Sequence, residues 1–257
     1  MTGPHNKEER SPKMKNYAFA RMYSSRLLTI VIAAAFVSIS TLAVSAEQES
    51  TLSYGGLLYD KWYKVIDADK PTTAHPAYPK DKKYAGKPDA NWRCKECHGW
   101  DYMGVDGAYS SGKHSSGIKG INGMNGADPA KVVAVLKDST HGYGNKLSSD
   151  DLSALALFVS KGQVDMDRYI DRATKKPKGD AARGEAYYNT VCAHCHGKDG
   201  LQPKEMKPFG KQMGNPWEVM HKILNGQPAE KMPALRAFDR QIAADIMAHM
   251  TSLPAKR

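Results

Sequence analysis

The sequence predicts an all-α protein built from two tandem units, and three observations predict it. Apolar residues recur at helical spacing in short runs parted by Gly- and Pro-rich stretches, and no βαβ pattern is visible. One order of features occurs twice: a helix, a C-x-x-C-H run, a Gly-rich loop, a helix, a short loop and a final helix. All four cysteines of the chain lie in those two runs, Cys94-Lys95-Glu96-Cys97-His98 and Cys192-Ala193-His194-Cys195-His196.

The first unit opens with an amphipathic helix over 52–66, carrying Gly55-Gly56-Leu57-Leu58-Tyr59-Asp60-Lys61-Trp62-Tyr63. Residues 67–93 turn polar and Pro-rich (Pro71, Pro76, Pro79, Pro88) and read as a long loop. After the first C-x-x-C-H run, glycines through residue 126 predict more loop. Val132, Val133 and Leu136 mark a helix over 129–137. A second helix is expected over 149–161, with Ser148 and Asp151 spaced as a capping pair and Leu152, Leu155, Leu157 and Phe158 on its apolar face. Residues 171–180, with Lys175-Lys176-Pro177-Lys178-Gly179, read as an exposed linker.

The second unit is shorter. A helix over 181–191 leads straight into Cys192–His196, and 197–213 is loop. Asn215 is placed to cap a helix that begins with Pro216 and runs to 225. The last helix, 239–251, presents Ile242, Ile246 and Met250 at i, i+4, i+8. Gly56-Leu57-Leu58-Tyr59 aligns with Gly184-Glu185-Ala186-Tyr187, the glycine letting the first and last helices of a unit cross closely. On that alignment the first unit carries an insertion of about 30 residues between its opening helix and its cysteines. The resulting division is a leader over 1–46, a first domain over 47–170, a linker over 171–180 and a second domain over 181–257.

A C-x-x-C-H run is the attachment site of a c-type heme, in which two thiols form thioethers and the adjoining imidazole ligates iron. Other readings fit less well. A zinc ribbon wants its two C-x-x-C pairs roughly 15–20 residues apart, and here they are parted by almost a hundred. A redox-active C-x-x-C would sit between a strand and a helix. A pair of disulfides leaves the histidine after each pair unexplained. Two covalently bound hemes c are therefore expected, on Cys94 and Cys97 with His98, and on Cys192 and Cys195 with His196.

Charge narrows the partners. Net charge is +10, with 37 basic and 27 acidic side chains. No basic run interleaved with aromatics appears, so no nucleic-acid partner is expected. A lysine-rich surface suits an acidic redox partner, or is a solvated face. Residues 1–46 carry Lys7, Arg10, Lys13, Lys15, Arg21 and Arg26, an apolar run over 27–44, and small residues before a cleavage point after Ala46. Met14 and Met22 are alternative starts. Export to the periplasm is expected with the leader removed; uncleaved, 27–44 would be a borderline membrane anchor.

Each unit resembles a class I cytochrome c domain, and the pair resembles the two-domain diheme cytochromes c. The resemblance spans most of 52–254. It is specific in the second unit, where Cys192-Ala193-His194-Cys195-His196, Met232-Pro233-Ala234-Leu235 and the final helix follow the family's order. The first unit departs from it in its insertion and in lacking a Met-Pro element. The resemblance implies an electron carrier of a respiratory or related chain, with donor and acceptor proteins as partners. It implies Met232 as the sixth ligand of the second heme, where the following proline fixes an extended loop. The remaining methionines, Met206, Met213, Met220, Met247 and Met250 among them, read as core filler. The corresponding loop of the first unit, Asp138-Ser139-Thr140-His141-Gly142-Tyr143-Gly144-Asn145-Lys146, has no Met. His141 occupies the equivalent place, so bis-His ligation by His98 and His141 is expected, with Met124, His114 and His75 as further candidates. A thioether raises the potential relative to a second imidazole, so the first heme is expected to be the lower. His194, His221 and His249 read as surface or packing residues.

Two rival functions share this architecture. One is a diheme enzyme resembling a thiosulfate dehydrogenase or peroxidase; there is no fifth cysteine to supply the sulfur ligand common in the former. The other is an anchored cytochrome subunit of a membrane oxidase complex. The 67–93 insertion could cover the first heme, dock a partner, or be surface loop.

Overall fold

The computed structural model describes Met1, Gly3 and residues 47–257. Apart from Met1 and Gly3, the expected leader over 1–46, with its apolar run over 27–44, lies outside the described residues. Among the described residues no helix is long and apolar enough to cross a membrane.

Helices make up the ordered elements. Helix α1 covers 47–65 and is buried on several sides, through Leu52, Gly55, Gly56, Leu58, Tyr59, Asp60, Trp62 and Tyr63. A helix with so little exposed face is a central one. Within the insertion, one turn of helix, α2 (Pro88–Asn91), precedes α3 (Cys94–His98). Helix α4 (Pro129–Lys137) starts where Asp128 accepts from the Ala130 N–H, with Pro129 in the first turn. Helix α5 (Ser149–Leu157) has the reciprocal capping box of Ser148 and Asp151, then continues as a π turn over Phe158–Gly162. Helix α6 (Ala181–Val191) is capped by Asp180 and α7 (Ala193–His196) follows at once. Three helices close the chain: α8 (Phe209–Gln212), α9 (Pro216–Asn225) and α10 (Arg240–Met250). Among the described residues the only β pairing is two isolated bridges, Gly104–Lys119 and Ile170–Pro177.

Two expectations change in detail. Asn215 stands at the start of α9, but its side chain caps no helix N–H; its amide donates to the Glu218 carboxylate at 3.0 Å instead. The first-turn Glu218 carboxylate draws the Asn215 amide to itself and away from the helix N–H groups. The glycine equivalent to Gly184 is Gly55, one residue before the one the sequence alignment pairs. A side chain on Gly55 would overlap the Ala154 carbonyl of α5, and one on Gly184 the Asp245 carbonyl of α10. Gly56 faces a different way, against Asn225 of α9.

Residues 48–257 form one compact unit, and α1 is central to it. Its adjacent glycines bring the helix against α5 on one side and α9 on the other. His221 of α9, fully buried, donates from Nε2 to the Gly56 carbonyl (3.0 Å) and accepts at Nδ1 from the Tyr102 hydroxyl (2.9 Å). Burial pushes its pKa down to about 3, so the ring is neutral. Beside it the Lys222 ammonium reaches the buried Asp60 carboxylate (2.9 Å), which Arg93 also pairs. Burial alone would raise the Asp60 pKa, and the two cations more than reverse that.

Candidate functional site

In a helical turn, residues i and i+3 lie on one face, so α3 sets Cys94 and Cys97 side by side at the wall of a cavity of about 240 Å³. None of the four cysteines is in a disulfide. Burial pushes the Cys94 and Cys97 thiols up to about 12. The residues between them point away and pair with one another: Lys95 donates to Glu96 at 2.5 Å, and Glu96 also meets His114 at 2.8 Å.

His98 ends α3. Its Nδ1 lies 2.6 Å from the Lys119 carbonyl, an acceptor, so that nitrogen carries the proton and Nε2 keeps its lone pair. Burial lowers its pKa, which favours the same neutral ring. Gly99 follows with φ 81°, a backbone turn that glycine makes without strain.

Across the cavity stands His141. The two rings are nearly parallel, 20° apart, with centroids separated by 6.4 Å. Imidazoles that each approach a shared metal to about 2 Å have centroids roughly 6 Å apart. The His141 Nδ1 lies 3.1 Å from the Asp138 carboxylate, which again leaves Nε2 with its lone pair. Apolar walls from Ile121, Val132, Leu136, Leu155 and Val159 complete the cavity. This donor set and these walls fit a porphyrin iron held between two imidazoles.

The other candidates fall in different places. Met124 lines the same cavity. His114 is engaged by Glu96 and stacks between Tyr84 (5.0 Å) and Tyr109 (5.1 Å). His75 lines the cavity with both nitrogens occupied, Nδ1 accepting from the Ala77 N–H and Nε2 on the His141 carbonyl.

The second run is built alike. Cys192 and His196 are half-buried and Cys195 is exposed. His196 Nδ1 lies 3.2 Å from the Gln202 carbonyl, its ring packs on Phe209 at 4.7 Å, and burial lowers its pKa. Gly197 repeats the positive φ, at 73°. Met232 is half-buried in the α9–α10 loop, its carbonyl close to Gly226, and the Leu235 N–H ties the loop to the Ile223 carbonyl of α9. His194 is exposed, while Met213, Met220, Met247 and Met250 are buried in the core.

A finer repeat had escaped the alignment. The Tyr59 hydroxyl donates to the Gly99 carbonyl (2.6 Å), and the Tyr188 hydroxyl donates to the Gly197 carbonyl (2.7 Å). Each tyrosine follows its crossing glycine by four residues, so the pattern Gly55-x-x-x-Tyr59 and Gly184-x-x-x-Tyr188 is visible once the register is right. Among the described residues, no three His, Cys, Asp or Glu side chains converge as a separate metal-binding cluster.

Residues 179–250 match the family model described as cytochrome c oxidase, cbb3-type, subunit III. The matched segment holds Cys192, Cys195, His196 and Met232. The chain thus contains a c-type cytochrome domain, a type that binds heme c covalently and serves heme-based electron transfer. Comparison with curated proteins and with solved structures gives no match.

Proposed function

We propose that the chain is an exported diheme c-type cytochrome that passes single electrons between a donor and an acceptor protein. The observation that carries the count of two is the repeat itself. Both C-x-x-C-H runs are followed by a positive-φ glycine whose carbonyl is held by a tyrosine from the preceding helix, and both histidines present Nδ1 to a backbone carbonyl. On this reading Cys94, Cys97, Cys192 and Cys195 form the thioethers, His98 and His141 ligate the first iron, and His196 and Met232 ligate the second. A heme c in each site supplies a one-electron ferric/ferrous couple.

The protein's own groups do the rest. The carbonyls of Lys119 and Gln202 orient the two histidines and keep their Nε2 lone pairs free. Apolar side chains of Ile121, Val132, Leu136, Leu155 and Val159 line the first cavity. Two imidazoles at one iron and an imidazole with a thioether at the other set unequal potentials, the first lower, which gives electron flow a direction. On this assignment the chain is an electron carrier.

The stoichiometry test is direct. Alkaline pyridine spectra of the purified protein are expected to give two hemes c per chain, and Cys94→Ala/Cys97→Ala to give one. One heme in the unaltered protein would overturn the proposal. Met232→Ala is expected to lose the far-red sulfur-to-iron band, and a persisting band would remove Met232 as ligand. A second reading, favoured by the description of the matched family, makes the chain a subunit of a membrane oxidase complex. Purification from membranes with the 27–44 segment retained, judged by N-terminal sequencing, selects that reading; a mature chain beginning at Glu47 selects the periplasmic carrier.

A further inference from the structure

We infer that the 67–93 insertion is a clamp on the His141 loop and that His75 is its positioning residue, holding the sixth ligand of the first heme in place. This rests on the His98/His141 ligation proposed above and deepens it.

The insertion is built around His75. The His75 backbone N–H donates to Asn91 Oδ1 at 3.0 Å, and Asn91, almost wholly buried, donates in turn to the carbonyls of Tyr84 and Ala85. The Trp92 indole N–H donates to the Thr73 carbonyl (2.8 Å), and its ring meets the His75 ring edge-on at 4.3 Å. The imidazole is thus locked by the segment that carries it.

Its two nitrogens then have fixed roles. Nδ1 lies 3.2 Å from the Ala77 backbone nitrogen, which can only donate, so Nδ1 carries the lone pair. The proton therefore sits on Nε2 and is donated to the His141 carbonyl at 3.2 Å. In this tautomer His75 has no nitrogen to offer a metal. It holds the backbone of the residue that does.

The need for such a hold follows from the rest of the loop. His98 directly follows Cys97 in the one-turn helix α3, where the two proposed thioethers would hold it, whereas His141 sits in a connection between α4 and α5. The carboxylate on the His141 side chain is Asp138, which accepts from the Thr140 and His141 amides and from His141 Nδ1 but stands open to solvent. A water-exposed contact contributes little. The His75 bond is shielded by Trp92 and by Tyr143, whose hydroxyl donates to the Trp92 carbonyl at 2.8 Å. The Trp62 indole donates to the same carbonyl, so clamp, loop and α1 meet at one point.

Azide binding to the ferric protein reads the strength of this hold, because azide competes with His141 for the iron. Titrations on holoprotein with two hemes, followed by low-temperature EPR, separate the first heme from the second. His75→Leu, which lacks the donor, is expected to tighten azide binding at the first heme about tenfold, the equivalent of one buried hydrogen bond. His75→Gln, which retains an N–H, is expected to stay within about threefold of the unaltered protein, and the second heme to be unchanged in both. Equal affinities in His75→Leu and the unaltered protein, or equal tightening in Leu and Gln, would overturn the clamp. If His75→Leu does not take up both hemes, Trp92→Phe decides: freeing Thr73 should give a smaller change of the same sign, and no change sinks the proposal. His141→Gly keeps the two ideas apart. An unaltered first-heme EPR spectrum there refutes the ligation itself, while an altered one with silent His75 variants refutes only the clamp.

Discussion

Tyr59 and Tyr188 show how much a single hydroxyl can fix. Each reaches from an opening helix to the carbonyl of the glycine just after a C-x-x-C-H run, at 2.6 and 2.7 Å. Each carbonyl also takes a backbone N–H, from Tyr102 and from Gly200, so the hydroxyl adds a second bond that contributes about 0.5–1.5 kcal/mol. Tyr59→Phe and Tyr188→Phe are each expected to lower the unfolding free energy of the holoprotein by about that amount, measured by guanidinium titration. A loss in neither would mean that water serves the two carbonyls equally well. The hydroxyl's destination is not readable from sequence, because it depends on where a loop residue turns back toward the helix. The C-x-x-C-H pattern of Cys94, Cys97, Cys192, Cys195 and the two adjoining histidines is legible in the sequence alone, because it is a matter of local spacing.

At the scale of elements, local chemistry set the boundaries well. The expected helices over 129–137, 181–191 and 216–225 match α4, α6 and α9, and the Ser148–Asp151 capping box is present as expected. The expected helix over 149–161 widens into a π turn after Leu157, which is not legible in the sequence because backbone propensity distinguishes poorly between continuing a helix and widening it. Choosing Gly56 instead of Gly55 as the crossing residue was a similar miss. Adjacent residues differ by about 100° around a helix, and two neighbouring glycines give no sign of which faces α5. The crossing of α6 and α10 makes a testable claim of its own. Gly184→Ala would drive a methyl group into the Asp245 carbonyl and is expected to destabilise by about 1–3 kcal/mol. Gly123→Ala, with open space around it, serves as the control and is expected to be nearly neutral in the same melt.

For the whole molecule the deciding contacts run between elements far apart in sequence. Gly56 against Asn225, Tyr102 and the Gly56 carbonyl on His221, and Asp60 with Lys222 all join the first helix and first loop to α9. Calorimetry of the holoprotein is expected to give one cooperative transition, and His221→Ala to broaden or split it; two transitions in the unaltered protein would show that these contacts do not couple the halves. Acid should act through the same place. The folded His221 pKa, about 3, lies below the ordinary value near 6.5, and the Asp60 pKa is also lowered. In both cases the unfolded chain binds more protons, so the stability they contribute is complete above about pH 6.5 and falls as the pH drops toward 3. His221→Gln is expected to flatten the pH 6.5–3 part of that curve, read from unfolding free energies at fixed salt. By itself the sequence determined the helical class and the twofold C-x-x-C-H motif, because both rest on short-range spacing and on the chemistry of a few side chains. Only the tertiary structure decided that His75 grips the His141 carbonyl, that Tyr59 and Tyr188 reach Gly99 and Gly197, and that α1 serves both α5 and α9. Those facts depend on which residues, most of them tens to more than a hundred positions apart, are buried against one another, and local spacing carries no record of that.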